Sequence, residues 1–261
     1  MKLEIVRPRV EFTESNHNPY WYQQSILKIE ECGRVSHKSE GRIKPGSAEN
    51  FIRKVAIGWG HESILEHASF TVCFVGSRTF SHQLVRHRIG AYTQESQRYC
   101  DYAKEGEESA LKIVPHKSLR GVYPDRALVD LEYETLVLPN GGMAIPLYTQ
   151  DLPHFQSIAK SYAAYLHDRG AGVKAEDARE ALPNACKTEV YTTYNFRQWR
   201  HFFRERLDSH AQWQIKMLAA HVFMYFADHS PIFIEKLVSH SGEPLTIQTV
   251  KPLTNPYREN K

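Results

Sequence analysis

Residues 69–99 read SFTVCFVGSRTFSHQLVRHRIGAYTQESQRY, and changes of pattern inside this stretch decide the fold. Over 69–75 the side chains alternate. Phe70, Val72 and Phe74 point one way and Thr71, Cys73 and Val75 the other, which predicts a strand. Over 77–88 the apolar spacing becomes helical, with Phe80 and Leu84 inward. Beyond it an extended segment is expected, placing Gln94, Ser96 and Arg98 on one face by period two.

Working outward, a first strand is expected within 3–12. A helix is expected from an N-cap at Ser47, carrying Phe51, Ile52 and Val55 and ended by Gly58 and Gly60. Residues 104–145 are the least regular part, with a charged KEGEE run, a turn signal at Pro139-Asn140-Gly141-Gly142 and one or two strands near 128–138. A helix follows Pro153, with Phe155, Ile158, Tyr162, Tyr165 and Leu166 inward, and stops at Gly170. A short helix is expected over 174–182, before Pro183, and a Thr/Tyr/Val-rich strand over 186–194. Asn195 with Gln198 reads as a capping box for a helix to Arg206. Ser209 with Gln212 reads as another, opening a helix with a stripe of Ile215, Leu218, Ala219, Val222, Phe223 and Phe226 that Pro231 ends. Strands and helices interleave irregularly, so the expected class is α+β, a single domain over 1–261.

Composition narrows the function. The chain has 261 residues, 41% hydrophobic and 24% charged, with a net charge of +3. That balance excludes wholesale disorder and makes nucleic acid an unexpected partner. No apolar run reaches the length of a membrane span, and no secretory signal opens the chain. Cys32, Cys73, Cys100 and Cys186 form no CxxC pair, which reads as reduced thiols in a cytoplasm. The chain has 14 histidines, yet no metal is expected. His61-Glu62-Ser63-Ile64-Leu65-Glu66-His67 fails the HExxH pattern, since His61 and His67 lie roughly 120° apart on a helix. No G-x-S-x-G, G-x-G-x-x-G or Walker A sequence occurs.

The chemistry concentrates in two clusters. Ser77–Gln94 holds Arg78, Arg86, Arg88, His82 and His87 without a single Asp or Glu. One reading is a solvated basic helix end. The other is a phosphate site, because guanidinium groups match phosphate oxygens two at a time. Asn195, Arg197 and His201 line one flank of the helix before Arg206, and the N–H groups near Asp208-Ser209-His210 offer an anion site. A basic amphipathic helix with a capped successor explains the same residues.

Arg86-His87-Arg88, seven residues and then Ser96 form an RHR-x7-S signature that resembles the flavin-dependent thymidylate synthases. Gly60-His61-Glu62-Ser63 with Glu66-His67, Ala178-Arg179 before Leu182-Pro183, and Leu207-Asp208-Ser209-His210-Ala211-Gln212-Trp213 resemble that family's other segments, in order. The resemblance implies methylation of dUMP to dTMP. The one-carbon unit comes from 5,10-methylenetetrahydrofolate and the hydride from FADH2 regenerated by NADPH. It also implies a homotetramer with shared active sites, built on a central, mostly antiparallel sheet packed by helices. By position it assigns FAD to Ser63, Arg86, His87, Arg88, Gln94, Asn195, Arg197 and His201. It assigns dUMP to Gln83, Arg86, Gln94, Ser96, Arg98, Arg179 and Arg206. It also makes Arg206 the expected catalytic residue, facing the pyrimidine, and implies that His61 lies near the folate or flavin ring. Ala91, Thr93, Gln94 and His201 depart from the family pattern. They keep open a nucleotide- or flavin-binding protein on the same scaffold without synthase activity. Residues 104–145 read as an insertion atypical of the family.

Overall fold

The structure is a computed structural model that describes residues 1–13, 18, 20–103, 110–139, 142 and 144–255. The KEGEE run and Asn140-Gly141 of the expected turn lie outside the described residues. In chain order the elements are β1 (Lys2–Ile5), β2 (Arg9–Phe12), α1 (Trp21–Arg34), α2 (Ser47–Ile52), β3 (Ser69–Ser77), α3 (Arg78–Leu84) and β4 (Ala91–Gln94). There follow β5 (Leu111–Ile113), β6 (Leu128–Asp130), β7 (Thr135–Val137), β8 (Ile145–Pro146), α4 (Leu152–Gly170) and α5 (Ala175–Ala178). The chain continues through β9 (Lys187–Asn195), α6 (Phe196–Arg206), α7 (Trp213–His229) and α8 (Ile247–Val250). The mixed α+β class holds. No described helix is long and apolar enough to cross a membrane.

One central sheet is expected; the strands form two. The range 3–12, within which a first strand is expected, holds parts of two strands, β1 and β2, separated around Pro8, which has no N–H to donate and a fixed φ. β1 joins the order β5-β1-β6-β7-β8, and β2 joins the order β2-β3-β9-β4. In the first sheet β1 pairs parallel with β5 and antiparallel with β6, while β6–β7 and β7–β8 are antiparallel.

Contacts sort the chain into two compact units. The first is Met1–Arg9, Val75–Gln83 and Gln94–Val190; the second is Val10–Phe74, Leu84–Thr93 and Tyr191–Lys261. In the first unit Leu3, Ile5, Ile113, Val129 and Leu136 from the five-stranded sheet share a core with Phe155, Ile158, Tyr162 and Tyr165 of α4. The described part of segment 104–145 therefore contributes strands β5, β6 and β7 to the sheet. Its run before β6 is pinned by buried Asp151, whose carboxylate accepts the Arg120 and Gly121 N–H groups at 2.9 and 2.7 Å and the Tyr123 hydroxyl at 2.6 Å.

The second unit is built on aromatic packing. Trp199, Phe202, Phe203, Phe223 and Phe226 are fully buried. Phe196 stacks on Phe233 with centroids 3.7 Å apart, and Trp199 donates its indole N–H to the Phe70 carbonyl at 3.1 Å. Each fully buried ring of this kind contributes about 2–3 kcal/mol of apolar transfer, which fixes α6 in place.

Several boundaries move. α3 stops at Leu84, so Arg86–Arg88 lie in a turn and not on a helix. The Tyr92 hydroxyl donates to the Leu84 and His87 carbonyls and thereby closes the helix end. The expected extended run past Gln94 is also a turn. The Ser96 carbonyl accepts the Tyr99 and Cys100 N–H groups, and its hydroxyl accepts the Arg98 N–H at 3.2 Å, a local serine turn that outcompetes strand pairing. Gln94, Ser96 and Arg98 therefore share no strand face.

Ser209 opens no helix. α7 begins at Trp213, and Gln212 caps it by accepting the Gln214 and Ile215 N–H groups. Asp208 instead takes the N–H of His210 and that of Ser241, so a carboxylate occupies the place where an anion site is expected. Ser47 is not a cap either: Gly46, at φ 78°, precedes α2, and the Ser47 hydroxyl bonds the buried Glu30 carboxylate at 2.8 Å.

Candidate functional site

Within the second unit a cavity of about 560 Å³ is lined by three short stretches: Arg86–Ile89, the turn carrying Glu62 and Glu66, and one flank of α6. α6 presents that flank because Trp199, Phe202 and Phe203 bury the other, leaving Arg197, His201 and Arg204 toward the cavity. Asn195 caps the helix, its side-chain oxygen accepting the Gln198 N–H at 2.8 Å. That leaves the Asn195 amide NH2 as the end able to donate to a ligand. Gly90 turns the chain behind Arg88, where a Cβ would collide with the Tyr194 ring.

The arginines around the cavity divide by partner. Glu62 accepts Arg200 Nε at 2.9 Å and Arg204 Nη2 at 3.0 Å. Arg200 is buried and also donates to the Phe233 and Glu235 carbonyls, each at 3.1 Å. Burial pulls its pKa down while the Glu62 carboxylate opposes that shift. Arg197 pairs with Glu66. Arg86 and Arg88, by contrast, are exposed, and among the described residues neither meets a carboxylate. Two exposed cations at a cavity whose glutamates are engaged by other arginines are chemically able to take an anion.

His87, between them, is buried, and its Nε2 accepts Arg206 Nε–H at 2.7 Å. Burial first, then the neighbouring Arg206 charge, push its pKa down to about 3. Burial likewise pulls the Arg206 guanidinium below its ordinary value.

The structure thus brings Arg86, His87, Arg88, Asn195, Arg197 and His201 to one cavity wall. Ser63 and His61 are exposed and are not among the lining residues. The His61 ring lies 6.0 Å from that of Trp59. Gln83, Gln94, Ser96, Arg98 and Arg179 belong to the first unit. There Gln94 donates to the Ser81 and Thr188 hydroxyls at 2.9 and 3.1 Å. Arg98 pairs with the Glu176 carboxylate at 2.9 Å, and Arg179 Nε donates to the Glu176 carbonyl at 2.9 Å.

Sequence reasoning missed Glu62, Glu66, Gln198 and Arg204 as cavity residues. Their signal was available: carboxylates at i and i+4 facing arginines at 197, 200 and 204, a helical spacing of three to four.

Comparison with known proteins places this geometry. Residues 20–232 match the family model described as thymidylate synthase complementing protein. A flavin-dependent thymidylate synthase of Pyrococcus furiosus is 36% identical over 188 residues, 72% of this chain and 66% of that protein. One from Mycobacterium avium is 33% identical over 207 residues, 78% of this chain and 76% of that protein. The chain therefore spans just under two thirds of the Pyrococcus relative. The fold resembles the crystal structure of a UMP/dUMP methylase, PolB, from Streptomyces cacaoi bound with 5-Br dUMP. The TM-score is 0.62 at 21% identity, covering 88% of this chain and 95% of that one. With the RHR turn, the acidic turn and α6 all inside the matched residues, the chain belongs to the thymidylate synthase complementing protein family.

Proposed function

We propose that the chain is a flavin-dependent thymidylate synthase that methylates dUMP to dTMP. The observation that carries this reading is the pair Arg86 and Arg88. They are exposed beside the cavity and meet no carboxylate among the described residues, while Arg197, Arg200 and Arg204 all have one. The donor set fits a dinucleotide. Two guanidinium groups suit a pyrophosphate, the Asn195 amide and His201 offer further polar contacts, and the volume is within the usual range for cofactor sites. FAD held there supplies hydride in its reduced form, with NADPH as reductant and 5,10-methylenetetrahydrofolate as one-carbon donor.

The protein's own contribution is charge and orientation. Arg86 and Arg88 hold the phosphates, with Asn195, Arg197, His201 and Ser63 completing the contacts. Arg197 exchanges Glu66 for the ligand. Gln83, Gln94, Ser96, Arg98 and Arg179 hold the dUMP phosphate and sugar, with active sites drawing on several chains of a homotetramer. Arg206 sets its positive charge against the pyrimidine and stabilises the ring when N3 is ionised, which activates the carbon that accepts the one-carbon unit. Ser96 binds and does not attack: its hydroxyl accepts the Arg98 N–H, and among the described residues no base is bonded to it. Cys32, Cys73, Cys100 and Cys186 form no disulfide, which fits a cytoplasmic setting.

The test is a flavin spectrum with product analysis. Protein reconstituted with FAD should be yellow, bleach with NADPH and form dTMP when dUMP and methylenetetrahydrofolate are added. Protein that binds no flavin contradicts the reading, and flavin binding without dTMP leaves a binding protein on the same scaffold.

A further inference from the structure

Arg86, His87 and Arg88 are consecutive yet differ sharply in burial: the two arginines are exposed and His87 is 6% exposed. Its backbone is held at both ends, the N–H donating to the Leu84 carbonyl at 3.1 Å and the carbonyl accepting the Tyr92 hydroxyl. Tyr92 is itself tied to the Tyr194 hydroxyl at 2.7 Å. The ring meets Phe202 edge-on with centroids 5.0 Å apart, and lies 5.8 Å from His201 and 6.3 Å from Tyr194. This imidazole has little freedom to turn.

Onto this fixed ring comes Arg206. An arginine Nε–H can only donate, so Nε2 of His87 must be the lone-pair nitrogen and its single proton must sit on Nδ1. The surroundings keep the ring in that state. The apolar contacts disfavour a charged imidazole, and so do the Arg206 cation beside it and His201. A guanidinium tethered through Nε has its plane restrained by the tether, which helps to aim the Nη pair.

We propose that His87 is a positioning residue for Arg206: a fixed neutral acceptor whose Nε2 sets the guanidinium plane that meets an anionic pyrimidine ring. This rests on the reading that Arg206 faces the pyrimidine, and it separates His87 from Arg86 and Arg88, whose exposed groups face the cofactor phosphates.

The experiment compares wild type with His87→Phe, which fills the space without an acceptor, and His87→Gln, which restores one. Nitrogen-15 spectra of wild type should show His87 with a bare Nε2 and a protonated Nδ1 from about pH 8 to about pH 5. They should also show an Arg206 Nε–H slowed in exchange, lost in His87→Phe and kept in His87→Gln. On flavin-loaded enzyme, His87→Phe should lower kcat about tenfold at unchanged flavin content, and His87→Gln should recover to within about threefold. A protonated Nε2, or an Arg206 Nε–H unmoved by His87→Phe, overturns the proposal. So does a matching loss of flavin from both variants, which would make His87 a cofactor contact. The nitrogen spectra need no turnover, so an enzyme that made no dTMP would fail the proposed function while the His87–Arg206 tether was still decided.

Discussion

Two arginine sets, one in each unit, share a residue type and differ in what they hold. In the first unit Arg98 and Arg179 both converge on Glu176, one on its carboxylate and one on its carbonyl. In the second, Arg86 and Arg88 stand beside a cavity and meet no carboxylate among the described residues, the glutamates that line it being committed to Arg197, Arg200 and Arg204. The difference teaches where an anion is required and where it must compete. A ligand phosphate at Arg98 displaces an exposed ion pair, and exposed pairs contribute little. A phosphate at Arg86 and Arg88 would meet cations that no carboxylate among the described residues compensates.

The largest expected effect breaks the second-unit side of that comparison. Arg206→Ala should lower dTMP formation by about 10³-fold with flavin still bound, because it removes charge placed where negative charge develops. Near-normal turnover in a steady-state assay would refute the role. Next, Arg86→Ala should weaken FAD binding by about 10- to 100-fold in a fluorescence titration, the loss of a charge-assisted contact. Ser96→Ala should weaken dUMP binding by about tenfold while saturated turnover stays close to wild type; complete loss at saturation would make the serine a nucleophile. The smallest effect tests the first-unit side. Glu176→Gln should tighten dUMP binding about two- to threefold by releasing Arg98, and an unchanged affinity would show that the pair does not compete.

A pH series sharpens the same contrast through stability. His87 and His154 are both held mainly by burial at about 3 and about 4, below the ordinary histidine value of 6.5. The unfolded chain binds protons there that the native state refuses. Their contribution is therefore complete above pH 6.5 and is lost as pH falls toward the folded values. From His87 alone the loss reaches about 3 kcal/mol by about pH 4. Thermal unfolding of His87→Gln against wild type should show a shallower fall between these limits.

Much of the fold was legible because it rests on long periodic segments. α4, α6 and β9 lie within a residue or two of where Phe155–Leu166, Asn195–Arg206 and the Thr/Tyr/Val run put them. α1 was not legible. It has no side-chain cap and no acidic first turn, and it buries only Ile26, Ile29, Glu30 and Gly33, too thin a stripe to announce a helix. β6 and β7 fall where one or two strands are expected near 128–138, whereas three-residue β5 acquires its meaning only by pairing with β1, a non-local fact. In the site, the missing acids of Ser77–Gln94 were visible in the sequence. Which arginines Glu62 and Glu66 neutralise was not, since those contacts cross more than 130 residues of chain.

The most direct test of the central claim is a crystal structure with FAD bound. The account predicts the pyrophosphate on the Arg86 and Arg88 guanidinium groups at about 2.9 Å, with Arg206 still tethered to His87. Both arginines extended into solvent, with FAD seated away from the Arg86–Ile89 turn, would contradict it.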